Sequence, residues 1–199
     1  MVFVSTLISL LVGLPLGIIL TITREDGLKP ARYVYSILDW IINILRSLPF
    51  VILMLLVFPL SKFIVGKTIG TTASIVPLSV SAAPFVARLM EGYLVDIDKG
   101  LIEAAKAMGS TNFQIVTKVM IPEALPSIIN GITMTIINII GYSAMAGLIG
   151  GGGLGEVANR YGYQRNQYDV LLVAVLIIII IVQIVQFIGN TWAKSINKK

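Results

Sequence analysis

The sequence predicts an all-α membrane protein with five transmembrane helices, and composition is the first observation that supports this fold class. Of the 199 residues, 56% are hydrophobic and only 13% are charged, with a mean hydropathy of +0.92. A soluble domain carries about twice that share of charge. The sequence has no cysteine and no histidine, which removes disulfides, thiol nucleophiles, imidazole bases and the usual zinc ligands. Disorder, a secreted disulfide scaffold and a cytosolic enzyme are therefore all disfavoured.

Stretches without Asp, Glu, Lys or Arg are the second observation, and each indicates a membrane span. They cover residues 1–23, 47–61, 68–87, 124–155 and 170–193. Because a helix crosses the hydrocarbon core with about 20 residues, four of the five are long enough alone. We extend the short second stretch back over residues 37–45 as one helix, with Arg46 reaching the interface near one end. The first stretch lacks the basic segment and cleavage site of a signal peptide, so it is predicted to be a span.

The basic residues predict which side of the membrane each loop faces. If the loops after helices one and three share a side with the C-terminus, that side holds eleven of the fifteen Lys and Arg residues, namely Arg24, Lys29, Arg32, Arg46, Arg88, Lys99, Lys106, Lys118, Lys194, Lys198 and Lys199. The other side holds four, namely Lys62, Lys67, Arg160 and Arg165. The positive-inside rule then places the N-terminus outside and the C-terminus in the cytoplasm.

Two stretches of the sequence imitate nucleotide-binding motifs. Residues 61–68 nearly spell a P-loop, but Ser61 replaces the opening glycine and the intervening residues are apolar. Gly150, Gly152 and Gly155 satisfy G-x-G-x-x-G. Both motifs need a preceding strand, and the second also needs an acidic residue about 20 positions further on. We therefore predict no cofactor on this chain, and a helix that opens into a turn near Gly150.

Glycine and proline residues predict how two of the helices pack. Gly13 and Gly17 form a G-x-x-x-G pair in helix one, a pattern that favours close helix packing. Pro77 and Pro84 lie in helix three. Proline in a spanning helix frees carbonyls that must face protein or water, so helix three is predicted to lie inside the bundle. The pattern leaves open whether it lines a pathway or only packs.

The segment 99–126 is amphipathic and too polar to span. Residues 103–108 predict a short helix that Gly109 can end in a left-handed cap. Residues 110–119 predict a second short helix with a hydroxyl side chain as its N-cap, and Pro122 is expected to stop it. Two such helices would form a rigid hairpin suited to docking a partner. Helix signals alone are equally compatible with an ordinary interfacial hairpin.

The same segment resembles the EAA signature of the permease subunits of bacterial ABC importers. The resemblance rests on Glu103-Ala104-Ala105, then Gly109, then Val119-x-Ile121-Pro122, where the family pattern closes I-x-L-P. Three further segments are similar to methionine importer permeases in particular: residues 46–50, 75–88 and 141–147. The resemblance covers nearly the whole chain.

This resemblance implies a type I ABC importer permease fold over residues 1–199, in a homodimer in the bacterial inner membrane. It implies that the hairpin couples the chain to an ATPase through Glu103, Ala104, Ala105, Gly109 and Pro122. The implied partners are a second copy, a pair of ABC ATPase subunits, an extracytoplasmic substrate-binding protein or lipoprotein, and an amino acid, most closely methionine. Nucleic acid is not among them, and the chain itself is not expected to be an enzyme.

Three alternatives remain beside this interpretation. The first is a permease for another amino acid or a betaine-type solute. The second is a secondary transporter that needs no ATPase, and the third is a membrane scaffold that transports nothing. Ion-coupled carriers place ionisable residues at mid-membrane, and the predicted cores of helices one, three, four and five contain none. The sequence therefore favours the ATP-driven importer.

Met145 is a candidate gate residue in helix four. It stands between small residues, in Gly141-Tyr-Ser-Ala-Met-Ala-Gly147. Small neighbours let backbones approach, and the flexible methionine side chain fills the gap between them. In a homodimer an axis-facing Met145 meets its own copy, and the pair could exclude water. Packing within its own protomer is the alternative.

Overall fold

The computed structural model describes residues 1–197 and builds them into nine α-helices. Two π-helical turns, Val116–Met120 and Ala158–Tyr163, interrupt the second half of this range. The basic residues Lys198 and Lys199, which we assign to the cytoplasmic side, lie outside the described residues. In chain order the helices are α1 Val2–Thr23, α2 Arg32–Ser47, α3 Phe50–Val65, α4 Ile75–Val95, α5 Lys99–Ala107, α6 Asn112–Ile115, α7 Ile121–Leu148, α8 Gly153–Val157 and α9 Tyr168–Ile196.

Four helical stretches are long and apolar enough to cross a membrane. The number of candidate spans rises to five if one bent pair of helices is counted as a single span. The four are α1, α4, α9 and the helical stretch that contains α7, and the pair is α2 with α3. The second span is thus not the single helix over residues 37–61 that we predict, because the pair bends by 111°. The break falls at Leu48 and Pro49, where the backbone is extended. Proline disfavours helical geometry at the residue before it, which explains the break.

Helix α1 packs closely against α4, as the glycine pair predicts. A Cβ atom on Gly13 would lie 2.6 Å from Cβ of Val86, and one on Gly17 would lie 2.5 Å from Cβ of Met90. The Ser9 hydroxyl also donates a hydrogen bond to a backbone carbonyl of α4 at 3.3 Å. Glycine therefore sets the distance between these two helices.

Helix α4 lies at the centre of the bundle. It begins at Ile75 and runs to Val95, whereas the predicted span covers residues 68–87. More than half of its most apolar stretch is buried, and Pro77 and Pro84 are both buried. The prediction that this helix lies inside the bundle is confirmed.

The predicted fourth span ends as a helix at Leu148, short of residue 155. Gly150, Gly152 and Gly153 follow with φ near +80°, a conformation that L side chains rarely adopt. The chain then turns back, and Gly155 in α8 approaches the backbone of Ala144 too closely for any side chain. The predicted turn after helix four is confirmed.

Candidate coupling site

Hydrogen bonds cap both ends of the first coupling helix, α5. The Asp98 side chain accepts a hydrogen bond from the backbone N–H of Gly100 at 2.8 Å, which caps the N-terminus. Gly109 follows the helix with φ of +79°. The backbone N–H groups of Gly109 and Ser110 donate to the carbonyls of Lys106 and Ala105. This is the left-handed glycine cap that the sequence predicts.

The second coupling helix, α6, begins with a capping box. The N–H of Gln114 donates to the Thr111 hydroxyl at 3.3 Å, and the N–H of Thr111 donates to the Gln114 side chain at 2.9 Å. Pro122 does not stop this helix, contrary to our prediction. The chain stays helical through the π-turn Val116–Met120 into α7, and Pro122 falls in the first turn of α7. A π-turn rearranges the preceding hydrogen bonds, and the missing N–H is tolerated there.

The two sides of the coupling hairpin, residues 99–120, differ in exposure. Ala105 is buried in an apolar cluster with Leu94, Ile115 and Met120, which joins the hairpin to the end of α4. The other signature residues Glu103, Ala104 and Gly109 are exposed, as are the apolar side chains Met108 and Phe113. The hairpin is therefore a rigid body that presents apolar side chains beside Glu103. Met108 and Phe113 were missed from the sequence, although large apolar residues beside a polar turn are a usable signal.

The loop between α1 and α2 braces both coupling helices. Asp26 accepts from Arg24 at 2.9 Å and from Lys99 of α5 at 3.3 Å. The Asn112 side-chain amide of α6 donates to the Leu28 carbonyl at 3.4 Å. Burial is the largest single influence on Asp26 and opposes its ionisation, but the Lys99 hydrogen bond and the Arg24 charge together outweigh it and lower the pKa of that carboxyl. These contacts join the hairpin to the C-terminal end of α1.

A second polar site, which we call the polar cluster, joins α2 to α4. Arg88 donates to Glu91 at 2.6 Å, to Asp39 at 2.5 Å and to the Asn43 side-chain carbonyl at 3.0 Å. Tyr35 donates to Glu91, and Asn43 donates to Asp39, each at 3.0 Å. The polar cluster is therefore a continuous hydrogen-bonded network, with Glu91 almost fully buried.

The sequence analysis missed this polar cluster. Counting a charge-free stretch ends the third span at Ala87, one residue before Arg88, while α4 continues to Val95. Arg88 and Glu91 therefore lie in the last two turns of α4, beyond the charge-free stretch 68–87 that we predict as its core. The usable signal was the spacing of Tyr35, Asp39 and Asn43, which repeats every four residues on one helix face.

Two segments that carry the family resemblance lie side by side near Met145. Phe50 at the start of α3 stacks on Tyr142 of α7, with ring centroids 4.6 Å apart and planes within 5°. Met145 itself is 43% exposed in the single chain and lines a groove with residues of α7, α8 and α9. The gate role of Met145 stays a prediction.

These features define the class of protein: a multi-span helical membrane protein with an exposed helical hairpin beside its spans. The family described as "Binding-protein-dependent transport system inner membrane component" matches residues 13–199, and the chain belongs to it. It is therefore a multi-pass inner-membrane permease component, and the ATPase of such a system is a separate subunit. The predicted family is confirmed.

Curated relatives are similar over almost the whole chain. The probable D-methionine transport system permease protein of Vibrio cholerae is 46% identical over 199 residues, which are 100% of this chain and 88% of the relative. The corresponding protein of Pasteurella multocida is 48% identical over 99% of this chain and 91% of its own length. The methionine import system permease protein of Bacillus subtilis is 45% identical over 91% of this chain and 82% of its own.

A solved structure shares the fold almost completely. A chain of the MetNI methionine ABC transporter, described in inward-facing conformations, matches with a TM-score of 0.97 and 43% identity, covering 99% of this chain and 91% of that one. A chain from an amino acid ABC transporter with histidines matches with a TM-score of 0.79 at 19% identity, covering 98% and 88%, and shows the fold alone. The predicted type I ABC importer permease fold is confirmed.

Proposed function

We propose that this chain is the permease subunit of an ATP-driven importer that carries methionine across the bacterial inner membrane. The observation that supports this most directly is the EAA signature on a braced hairpin, in a chain 45–48% identical to three curated methionine permeases. The chain supplies the pathway wall and the coupling surface. ATP hydrolysis takes place on the partner.

The coupling hairpin transmits the motion in this proposal. ATP binding closes the ATPase pair, the docked hairpins move with it, and the pathway changes from inward-open to outward-open. Transmission requires that the hairpin does not bend, and the apolar cluster around Ala105 supports this by fixing it to α4 and α7. Exposed Met108 and Phe113 would enter a groove on the ATPase, with Glu103 and Gly109 beside them. Pro122 acts at the junction with α7 rather than as a helix stop.

The proposed assembly is a homodimer with a substrate-binding protein or lipoprotein outside. Only 6% of the most apolar part of α9 is buried in the single chain, and α1 is also largely exposed. One chain therefore has few buried helices with which to enclose a pathway, and a second copy would supply the other half of its wall. The eleven-to-four distribution of basic residues supports an external N-terminus and a cytoplasmic coupling hairpin. No cofactor is proposed on this chain.

Copurification with function tests the whole proposal. The chain is expressed together with the ABC ATPase subunit of a methionine importer, purified and reconstituted, and methionine uptake and ATP hydrolysis are measured with and without a methionine-binding protein. We expect an ATPase to copurify and both activities to rise with the binding protein. Uptake driven by an ion gradient without ATP would indicate a secondary transporter, and uptake of betaine in preference to methionine would indicate the other solute class. A stable complex without uptake would indicate a scaffold.

A further inference from the structure

The polar cluster has more charge than packing α2 against α4 requires. It holds one cation, Arg88, and two carboxylates, Asp39 and Glu91, so its net charge is negative. Buried ion pairs are weak sources of stability, since apolar residues of similar size often hold helices as well. Ionisable groups within the spans of a membrane protein more often mark a ligand pathway. The polar cluster is thus a candidate binding site.

The polar cluster opens onto a groove on the exposed face of α2. The side chain of Asp39 lines the groove and is 31% exposed, so a solute can reach it, whereas Arg88 and Glu91 do not line the groove. The groove has a volume of about 480 Å³, which falls within the range of about 300–1,000 Å³ typical of small-molecule sites. Its walls are Tyr35, Ser36, Asp39, Trp40, Asn43, Ile44 and Ser47.

The lining of this groove combines polar groups with one large aromatic ring. Ser36, Asn43 and Ser47 follow one another at helical spacing and offer hydroxyl and amide groups. Trp40 stands among them with 66% of its surface exposed. A polar stripe of this kind cannot face lipid hydrocarbon without cost, so it faces water, a second copy of the chain or a bound solute.

We propose that this groove binds the charged backbone of a free amino acid, a step that rests on the proposed function. The surplus negative charge at Asp39 attracts the ammonium group, and the side-chain carbonyl of Asn43 is a second acceptor. The Trp40 ring attracts the same cation through its face and covers an apolar side chain. Arg88 does not line the groove and keeps its hydrogen bonds to Asp39, Asn43 and Glu91, so it acts on the carboxylate of the amino acid only through its charge. No covalent bond changes in this step.

The site would hold the amino acid near the cytoplasmic end of the pathway. Helix α2 follows directly on the loop that contains Asp26 and braces the coupling hairpin. In the proposed orientation that loop is cytoplasmic, so the groove is reached when the pathway is open to the inside. A binding step there would be the last before release.

Protection of an introduced cysteine tests this proposal on the complete transporter. The sequence has no native cysteine, so Ser36→Cys places a single reactive thiol of this chain in the groove. The rate of its alkylation by a maleimide is measured in the nucleotide-free complex with increasing methionine. We expect methionine to slow alkylation and N-acetylmethionine, which lacks the ammonium group, to have no effect. Ser195→Cys, at an exposed position in the last turn of α9, is the matched control and should react at one rate throughout.

Two further substitutions in the Ser36→Cys background identify the side chains that bind methionine and so protect the thiol. Asp39→Asn should raise the methionine concentration needed for protection about tenfold, the effect of losing one charge-assisted contact. Trp40→Ala should also weaken protection, and it leaves every bond of the polar cluster in place, so it remains informative if Asp39→Asn disturbs folding. Asp169→Asn, which removes an exposed carboxylate from the start of α9, should change nothing.

The outcomes separate this inference from the proposed function. Equal protection by methionine and N-acetylmethionine would overturn the site, as would protection that survives both Asp39→Asn and Trp40→Ala. Normal methionine uptake with no protection at all would leave the importer standing and remove the site. Absence of methionine uptake by the unmodified transporter would contradict the proposed function, whatever the alkylation rates show.

Discussion

At the scale of single residues, glycine acts in two different ways in this chain. Gly13 and Gly17 are needed because α4 lies where a side chain would stand. Gly66 and Gly109 are needed because φ is near +80°, although no described heavy atom beyond their own chain neighbours lies within 4 Å of where a Cβ would be. The first pair responds to side-chain volume, and the second pair to backbone conformation.

Gly17→Ala should destabilise the protein through steric conflict. The added Cβ would lie 2.5 Å from Cβ of Met90 and 2.6 Å from the Ala87 carbonyl oxygen, so the helices must move apart. We expect a loss of about 1–3 kcal/mol, seen as a lower midpoint of thermal unfolding in detergent. Gly92→Ala, in α4 with no described atom within 4 Å of the added Cβ, is the control and should leave the midpoint unchanged or raise it. Equal midpoints for the two variants would refute the packing role of Gly17.

Features that depend on neighbouring residues in the chain are predicted from sequence more readily than contacts between distant helices. The left-handed Gly109 and a hydroxyl N-cap for α6 follow from rules that involve only near neighbours in the chain, and the structure selects Thr111 over Ser110 as that cap. The Arg88 network was missed because its partners lie 45 to 49 positions away in the sequence. Such pairs depend on how α2 crosses α4, and helical periodicity does not encode that crossing.

At the scale of elements, two prolines illustrate why helix boundaries are harder to predict than helices. Pro49 separates α2 from α3 with a 111° bend, whereas we expect one straight span there. Pro122 was expected to end a helix but lies within a continuous helical path, because the π-turn Val116–Met120 precedes it. A proline disrupts a helix only where its hydrogen bond cannot be rearranged, and tertiary packing decides this.

The coupling hairpin supplies a prediction at the same scale. Gly109→Val should cost about 1 kcal/mol or more, because a β-branched residue disfavours the left-handed conformation. Together with Glu103→Lys, it should reduce the ATPase retained on purification while the chain remains inserted in the membrane. The measurement is the ratio of ATPase to permease after affinity purification from isolated membranes.

Gly66→Val is the matched control for that experiment. Gly66 ends α3 with φ of +76°, close to the value of +79° at Gly109, so the intrinsic strain of the two substitutions is comparable. Gly66 lies away from the hairpin, and its substitution should leave the ATPase ratio unchanged. A similar loss of ATPase in both variants would mean that general instability, and not the coupling surface, explains the effect.

At the scale of the whole molecule, the single chain leaves large apolar surfaces uncovered. Helix α4 is the buried centre, while α9 and much of α1 are exposed. Lipid covers such helices in a bilayer, but the partly exposed Met145 adjoins a groove among α7, α8 and α9. The sequence predicts the family and the number of spans because hydropathy and the EAA spacing are local. It does not encode which uncovered face meets a second copy.

The membrane orientation is testable because the sequence has no cysteine. Single cysteines at Thr111, on the coupling hairpin, and at Asn166, between α8 and α9, both fall at exposed positions. An impermeant maleimide added to intact spheroplasts should label Asn166→Cys, and Thr111→Cys should react only after the membrane is permeabilised. The eleven-to-four charge asymmetry is the reason for this expectation. The reverse pattern of labelling would invert the proposed topology.

The gate proposal is the strictest test at this scale, because it requires a second copy and a change of state. If Met145 faces the two-fold axis, its side chain meets its own copy and the pair excludes water from the pathway. Met145→Cys should then crosslink between protomers in the nucleotide-free transporter, and the crosslink should be lost when ATP is trapped. Ala146→Cys is the control, since Ala146 is only 1% exposed and packs inside its own chain. A Met145→Cys crosslink that never forms, or that ignores nucleotide, would assign Met145 to packing alone.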